Sequence, residues 1–188
     1  MSGLERYLGI EELEAGLDAI RQAPKQEGTL ELIVRRPKSG EREVLETGEL
    51  NPNEGLAGDS WLARGRHVRA DGTVDTSTQL NVMNARTIAL LAQSKDRWPL
   101  AGDQLFIDFD VSAANVPPGT KLAIGSAVIE VTDEPHTGCG KFSARFGPVA
   151  TRFVNSREGR ALQLRGINAR VVQAGTIRTG DLVKKLAP

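Results

Sequence analysis

The sequence predicts a mostly β (α+β) domain: a barrel of short, mainly antiparallel strands with a few peripheral helices. Two observations carry this. About eight short segments have the apolar patterning of strands, and two or three helical segments fall among them without the regular succession of a doubly wound sheet. No GxGxxG or P-loop spacing occurs, so a dinucleotide-binding fold has no support.

The elements follow in order. Ser2 and Glu5 have capping-box spacing, and Ile10, Leu13, Leu17 and Ile20 form one apolar stripe, which predicts an N-terminal helix ended by Pro24 and Gly28. TLELIVRRP then alternates Leu30, Leu32 and Val34 as a half-buried strand; Lys38-Ser39-Gly40 reads as a turn and residues 43–47 as the returning strand. Residues 48–77 read mostly as loop, broken by Asn51-Pro52-Asn53, Gly55, Gly58 and Asp71-Gly72. Residues 79–83 predict a strand, and Asn84 fits the N-cap of a helix carrying Ile88, Leu91 and Ala92. Strands are expected at 104–110, 121–124, 127–132, 167–174 and 181–186, with a short helix at 147–155. Residues 1–47 are expected to belong to the same domain as the barrel of residues 48–188.

Composition narrows the function classes. The chain of 188 residues is 39% hydrophobic and has no run of about 18 apolar residues, so no transmembrane helix is expected. The opening MSGLERYLGIEELEAG has acidic residues where a secretory signal needs a basic region followed by an apolar one, and a cytoplasmic location is expected. The single cysteine, Cys139, excludes an internal disulfide and a multi-thiolate metal site; it is either a packed residue or a reactive one. Aromatic residues make up only 4%, which argues against nucleic-acid binding by base stacking.

Charge is balanced overall but unevenly spread. Residues 1–63 hold 7 Lys/Arg against 13 Asp/Glu, whereas residues 141–178 hold eight cations against Glu158 alone. The basic stretch either marks a site for a small anionic ligand near Cys139 or pairs with the acidic N-terminal part folded over it. Gly138 and Gly140 leave the backbone around Cys139 open, and Lys141 and His136 supply positive charge that favours a thiolate. His67 and His136 are the only histidines, and no zinc-ligand spacing is present. Asp59 and Asp181 each follow a glycine, a pattern that usually serves turns. Trp61 is placed either to stack on a flat ring or to plug one end of the barrel.

The segment EPHTGCGKFSARFG (134–147), followed by LRGINARVVQAGTIRTGDLV (164–183), resembles the signature of the MOSC domain. The matching pieces are Cys139, Lys141-Phe142, Arg165-Gly166, Arg170 and residues 175–183; GLAGDSW (55–61), TQLNVMN (78–84) and residues 102–132 are also similar to small bacterial members. The resemblance implies a β-barrel that binds a molybdenum cofactor or related sulfur-bearing ligand, with Cys139 as persulfide carrier or metal ligand and a sulfur donor or acceptor protein as partner. It makes Lys141, Arg145, Arg165, Arg170, His136, Asp59 and Trp61 the candidate cofactor contacts, the arginines for phosphate. Pyridoxal phosphate is not expected, because the sulfurase domain that binds it is absent. Two other readings stay open: a cysteine-dependent enzyme acting on small N-hydroxylated compounds, and a non-catalytic interaction module with a structural cysteine.

Overall fold

The computed structural model describes residues 6–64 and 68–188. The Ser2/Glu5 capping pair therefore lies outside the described residues. The first helix, α1 (Ile10–Ala15), is capped instead by Gly9, whose N–H donates to Glu12 Oε2 at 2.9 Å. A second short helix, α2 (Leu17–Arg21), follows at once. Of the expected stripe, Leu13, Leu17 and Ile20 are buried, while Ile10 is exposed.

Seven strands close a barrel. In chain order they are β1 (Glu27–Arg35), β5 (Leu80–Asn84), β6 (Leu105–Asp108), β7 (Lys121–Ile124), β8 (Ala127–Val131), β9 (Ile167–Gln173) and β11 (Leu182–Lys185). Around the barrel the order is β1-β6-β5-β9-β8-β7-β11 and back to β1. Every neighbouring pair is antiparallel except β5 with β6. Closure depends on the length of β1: residues 27–29 pair with β11, residues 29–33 with β6, and residues 33–35 with the short hairpin strand β2 (Glu43–Leu45). A second sheet, β10-β3-β4, is built from β3 (Thr47–Asn51), β4 (Gly55–Leu56) and β10 (Gly175–Arg178).

That second sheet corrects the expectation of loop over 48–77 and of a plain connection through Gly175. Its strands are two to five residues long, and Gly48 sits where a Cβ would come within 2.8 Å of Leu56 Cδ1. A strand kept short and held by close backbone approach carries too little apolar alternation to be read locally.

The alternation in β1 also differs from expectation. A bulge between Leu30 and Leu32 shifts the register against β6. Leu30 and Ile33 consequently face the barrel interior, with Val82, Leu105 and Ile107, while Leu32 and Val34 face outward. The outward side packs with Met83 and Phe106 against the helices, through Leu13, Leu17, Ile88, Phe142 and Phe153. The barrel therefore has two cores, one inside and one beneath a helical layer.

The helices of that layer are α3 (Ala85–Ala92), α4 (Gly140–Asn155) and α5 (Arg157–Ala161). The Asn84 side chain caps α3 by accepting from the N–H groups of Arg86 and Thr87 at 2.7 and 3.2 Å. The helix expected at 147–155 is only the second half of α4, which is interrupted at Gly147 (φ 89°) before Pro148. A 3-10 segment, Lys95–Ala101, joins α3 to β6.

At the end of α5, Leu164 N–H donates to Gly159 O and Gln163 N–H to Arg160 O, a Schellman closure with Gln163 in the left-handed region (φ 49°). Glycine is the residue that adopts this conformation without a Cβ penalty. Gln163→Gly is expected to raise the unfolding free energy by about 0.5–1 kcal/mol, read as a higher denaturant midpoint at unchanged slope.

Candidate functional site

Cys139 is free and exposed, at the N-cap of α4. The chain is held in place just before it: Gly138 N–H donates to Asn155 Oδ1 at 2.9 Å, and Asn155 Nδ2 donates back to Gly138 O at 3.0 Å. A side chain at 138 would press on Val154 and Asn155, so glycine permits this close pass. No capping hydrogen bond closes on the sulfur. Partial burial pushes the thiol up, but the N–H groups of Phe142 and Lys141, with the charge of Arg165, outweigh it and leave the thiol below its ordinary value. The exposure of Cys139 removes the reading of a core-packed cysteine.

Cys139 opens into a cleft of about 490 Å³ whose cations come from distant parts of the chain: Arg36, Arg42, Arg64, Lys141, Arg145 and Arg165. Four of these arginines are fixed by four consecutive carbonyls at the end of the 3-10 segment. Arg42 Nε donates to Pro99 O (3.1 Å), Arg145 Nη1 to Leu100 O (2.6 Å), Arg165 Nη2 to Ala101 O (3.0 Å) and Arg36 Nη1 to Gly102 O (2.8 Å). The carbonyls that end a helical segment carry its negative pole, so cations are natural partners; Pro99 O also accepts from the Gly102 N–H at 3.2 Å.

Two of the four are neutralised by buried carboxylates. Arg36 grips Asp59 through Nε–Oδ2 and Nη2–Oδ1, both at 2.9 Å, with Arg36 N–H also on Oδ2. Arg165 Nη1 holds Asp103 Oδ2 at 2.7 Å and its guanidinium lies 4.9 Å from the Phe142 ring centroid. Arg42 and Arg145 are held by backbone carbonyls instead. Burial, and then the like charges of Arg145, Arg36 and Arg64, push the Arg42 guanidinium below its ordinary value. Both guanidinium groups converge over Gly102 (φ 90°): a Cβ there would lie 3.6 Å from Arg42 Nη2 and 3.8 Å from Arg145 Nη1. The result is a pair of convergent guanidinium groups in the same cleft as Cys139.

Of the expected contacts, the structure brings Cys139, Lys141, Arg145 and Arg165 to this cleft. Asp59 serves it indirectly, as the anchor of Arg36 and of the Trp61 N–H. Trp61 is only 2% exposed, with Nε1 directed to Thr78 Oγ1, so it is a core residue and does not present a face for stacking. Arg170 lies elsewhere, paired with Glu130 at 2.6 Å on the outer face of β9. Asp181 accepts from the Arg178 N–H in a turn. His67 lies outside the described residues. His136 is nearly buried behind the cleft, Nδ1 3.7 Å from Asp103 Oδ1.

Sequence reasoning missed Arg36, Arg42, Arg64, Asp103 and Asn155. The two N-terminal arginines sit in a segment with a net negative charge, so charge counting pointed away from them. The acidic N-terminal part packs on α4 through Leu13 and Leu17, but among the described residues the ion pair between the two parts, Arg21 with Glu158, has the opposite polarity. Among the described residues no cluster of His, Cys, Asp and Glu could hold a metal ion by itself, and no helix is long and apolar enough to cross a membrane.

The fold and site define a small closed mixed barrel with a free thiol at a helix start facing an arginine-lined cleft. The MOSC domain model matches residues 76–184, more than half of the chain, and the protein belongs to the MOSC domain family. Among solved structures it is similar to the YuaD protein of Bacillus subtilis, at 17% identity and a TM-score of 0.60, covering 85% of this chain and 95% of that one. It is also similar to YiiM of Escherichia coli (16% identity, TM-score 0.53, 85% and 70% covered) and of Geobacillus stearothermophilus (11%, 0.52, 88% and 75%). At these identities the likeness concerns the fold. No curated protein matches the sequence significantly.

Burial, followed by the charge of Arg165, pushes His136 down to about 4 from 6.5. The folded state then binds fewer protons than the unfolded chain between these values, so stability is full above about pH 6.5 and falls as the pH drops towards 4. The shift corresponds to a loss of about 3 kcal/mol over that window. Denaturant titrations from pH 7 to 4 are expected to show this loss in the wild type but not in His136→Gln, so that the difference between the two curves carries it.

Proposed function

We propose that the protein binds a molybdenum cofactor or a closely related sulfur-bearing anion in the arginine cleft, with Cys139 as metal ligand or persulfide carrier. One observation carries the reading: a thiol lowered towards its anion shares a cleft with an arginine pair, Arg42 and Arg145, that has no carboxylate partner among the described residues. The donor set fits the group at both ends. A thiolate is a soft ligand suited to molybdenum or sulfane sulfur. Guanidinium groups suit a phosphate, and those of Arg42 and Arg145 converge over Gly102. Such a cofactor supplies redox or sulfur-transfer chemistry when bound. The chain's own residues would orient it, with Arg42 and Arg145 on the phosphate and the α4 N–H groups favouring the thiolate.

Half of this cationic wall, Arg36, Arg42 and Arg64, comes from before residue 76, outside the family match. The chain-specific part of recognition therefore resides in the N-terminal hairpin and the loop after β4.

Protein made in a host that synthesises the cofactor and purified under reducing conditions is expected to carry molybdenum and pterin, or cyanide-releasable sulfur. Cys139→Ser is expected to lose the molybdenum or the labile sulfur. Arg42→Gln and Arg145→Gln are each expected to weaken pterin retention on the order of tenfold, the worth of one charge-assisted hydrogen bond. Wild-type protein with neither component, or Cys139→Ser retaining both, overturns the reading.

A further inference from the structure

A second cleft, of about 510 Å³, lies on the other side of Arg165 from Cys139, beneath residues 132–137. Its apolar body is made by Val131, Pro135, Val154 and Ile167, and His136 and Arg165 are among the polar residues that line it. Size and composition are those of a small-molecule site. Its charge differs from that of the front cleft: Asp133 and Glu134 stand on its rim with Arg160, and Arg165 is already paired with Asp103.

His136 and Arg165 on its wall, and Asp103 packed behind them, have unmet hydrogen-bonding capacity. Among the described residues Asp103 Oδ1, His136 Nδ1 and Arg165 Nε are buried and without hydrogen-bond partners, in residues 0, 12 and 8% exposed at the side chain. The Ile167 backbone favours a proton on the ring, which Nε2 can carry towards its carbonyl. In the neutral ring Nδ1 is then an acceptor, facing a carboxylate oxygen 3.7 Å away. Two acceptors and one donor are therefore left together, and leaving buried groups of this kind unpaired is costly.

We propose that this rear cleft binds a small uncharged molecule with an apolar body and a head group offering two donors beside one acceptor, as a primary carboxamide does. The head complements Asp103 Oδ1, His136 Nδ1 and Arg165 Nε, reached by a small outward shift of His136, and the body lies against the apolar wall. An anion is disfavoured by Asp103, Asp133 and Glu134. Because Arg165 and the chain leading to Cys139 form the partition, occupancy of the rear cleft is felt at the front one. The inference is independent of what the front cleft holds.

Benzamide, methyl benzoate and benzoate are the probes, titrated into the folded full-length protein and followed by backbone amide NMR shifts. Benzamide is expected to shift the amides of residues 132–137 and 163–168 with a dissociation constant of roughly a millimolar, fitting a ligand of its size. Methyl benzoate and benzoate are expected to bind about tenfold more weakly, having no donor for the two acceptors. Pro118→Trp, at the exposed mouth, is expected to abolish binding, whereas Cys139→Ser is expected to leave it unchanged. Shifts centred on Gly102 and Arg145, equal binding of benzamide and methyl benzoate, or no shifts up to about 20 mM benzamide would overturn the proposal.

Discussion

The constraint on which this site rests is the run of four carbonyls at residues 99–102, each accepting a different arginine. Arginines crowded into one cleft repel one another, and without fixed acceptors they would splay into solvent. The 3-10 segment supplies those acceptors because it ends there: Gly102, at φ 90°, turns the chain away from the helical path and leaves the carbonyls facing the cleft. The four arginines come from the end of β1, the hairpin turn, α4 and the turn before β9. One short segment thus ties the barrel, the hairpin and the helical layer together at the place where the charge is concentrated.

Buried carboxylates complete the arrangement by selecting which charges remain available. Asp59 and Asp103 are wholly buried at the side chain and committed to Arg36 and Arg165. Removing one partner of such a pair leaves an uncompensated buried charge, a loss of about 3–5 kcal/mol. Arg36 and Arg165 are consequently structural walls of the cleft, and the positive potential is left to Arg42 and Arg145, with Lys141 at the rim. A ligand meets a pre-set pair and does not have to gather it, which lowers the ordering cost of binding.

Much of the barrel was legible in the sequence, because Leu80 and Val82, or Leu105 and Ile107, alternate with outward residues in the period that a strand imposes. The exceptions have physical causes. In β1 the bulge after Leu30 breaks that period, so a uniform alternation of Leu30, Leu32 and Val34 was the wrong division between inside and outside. The strands β3 and β10 are specified by pairing with each other across more than a hundred residues, and β4, only two residues long, is too short to show a pattern. At the site, Cys139, Lys141, Arg145 and Arg165 could be found because they lie close together in a basic stretch around one thiol. Arg42 and Asp103 could not: one sits in an acidic neighbourhood, and the other is an unremarked residue after a glycine whose role exists only once Arg165 folds onto it. Trp61 shows the reverse error, since a tryptophan in a polar loop invites a stacking role that burial under the same loop removes.

Arg165 belongs to two clefts at once, and its pairing explains why they differ. Towards Cys139 it contributes positive charge, enough to help lower the thiol. On the other side its charge is met by Asp103, and together they leave hydrogen-bonding groups without a net charge. One ion pair therefore divides a cleft lined by cations from one in which acidic and basic residues are mixed. Only the partition is shared: His136 and Phe142 flank Cys139 in sequence, and each packs on this pair, His136 near the carboxylate and Phe142 beneath the guanidinium. A displacement of either partner must move the chain that presents the thiol, and this gives the two faces a physical means of coupling.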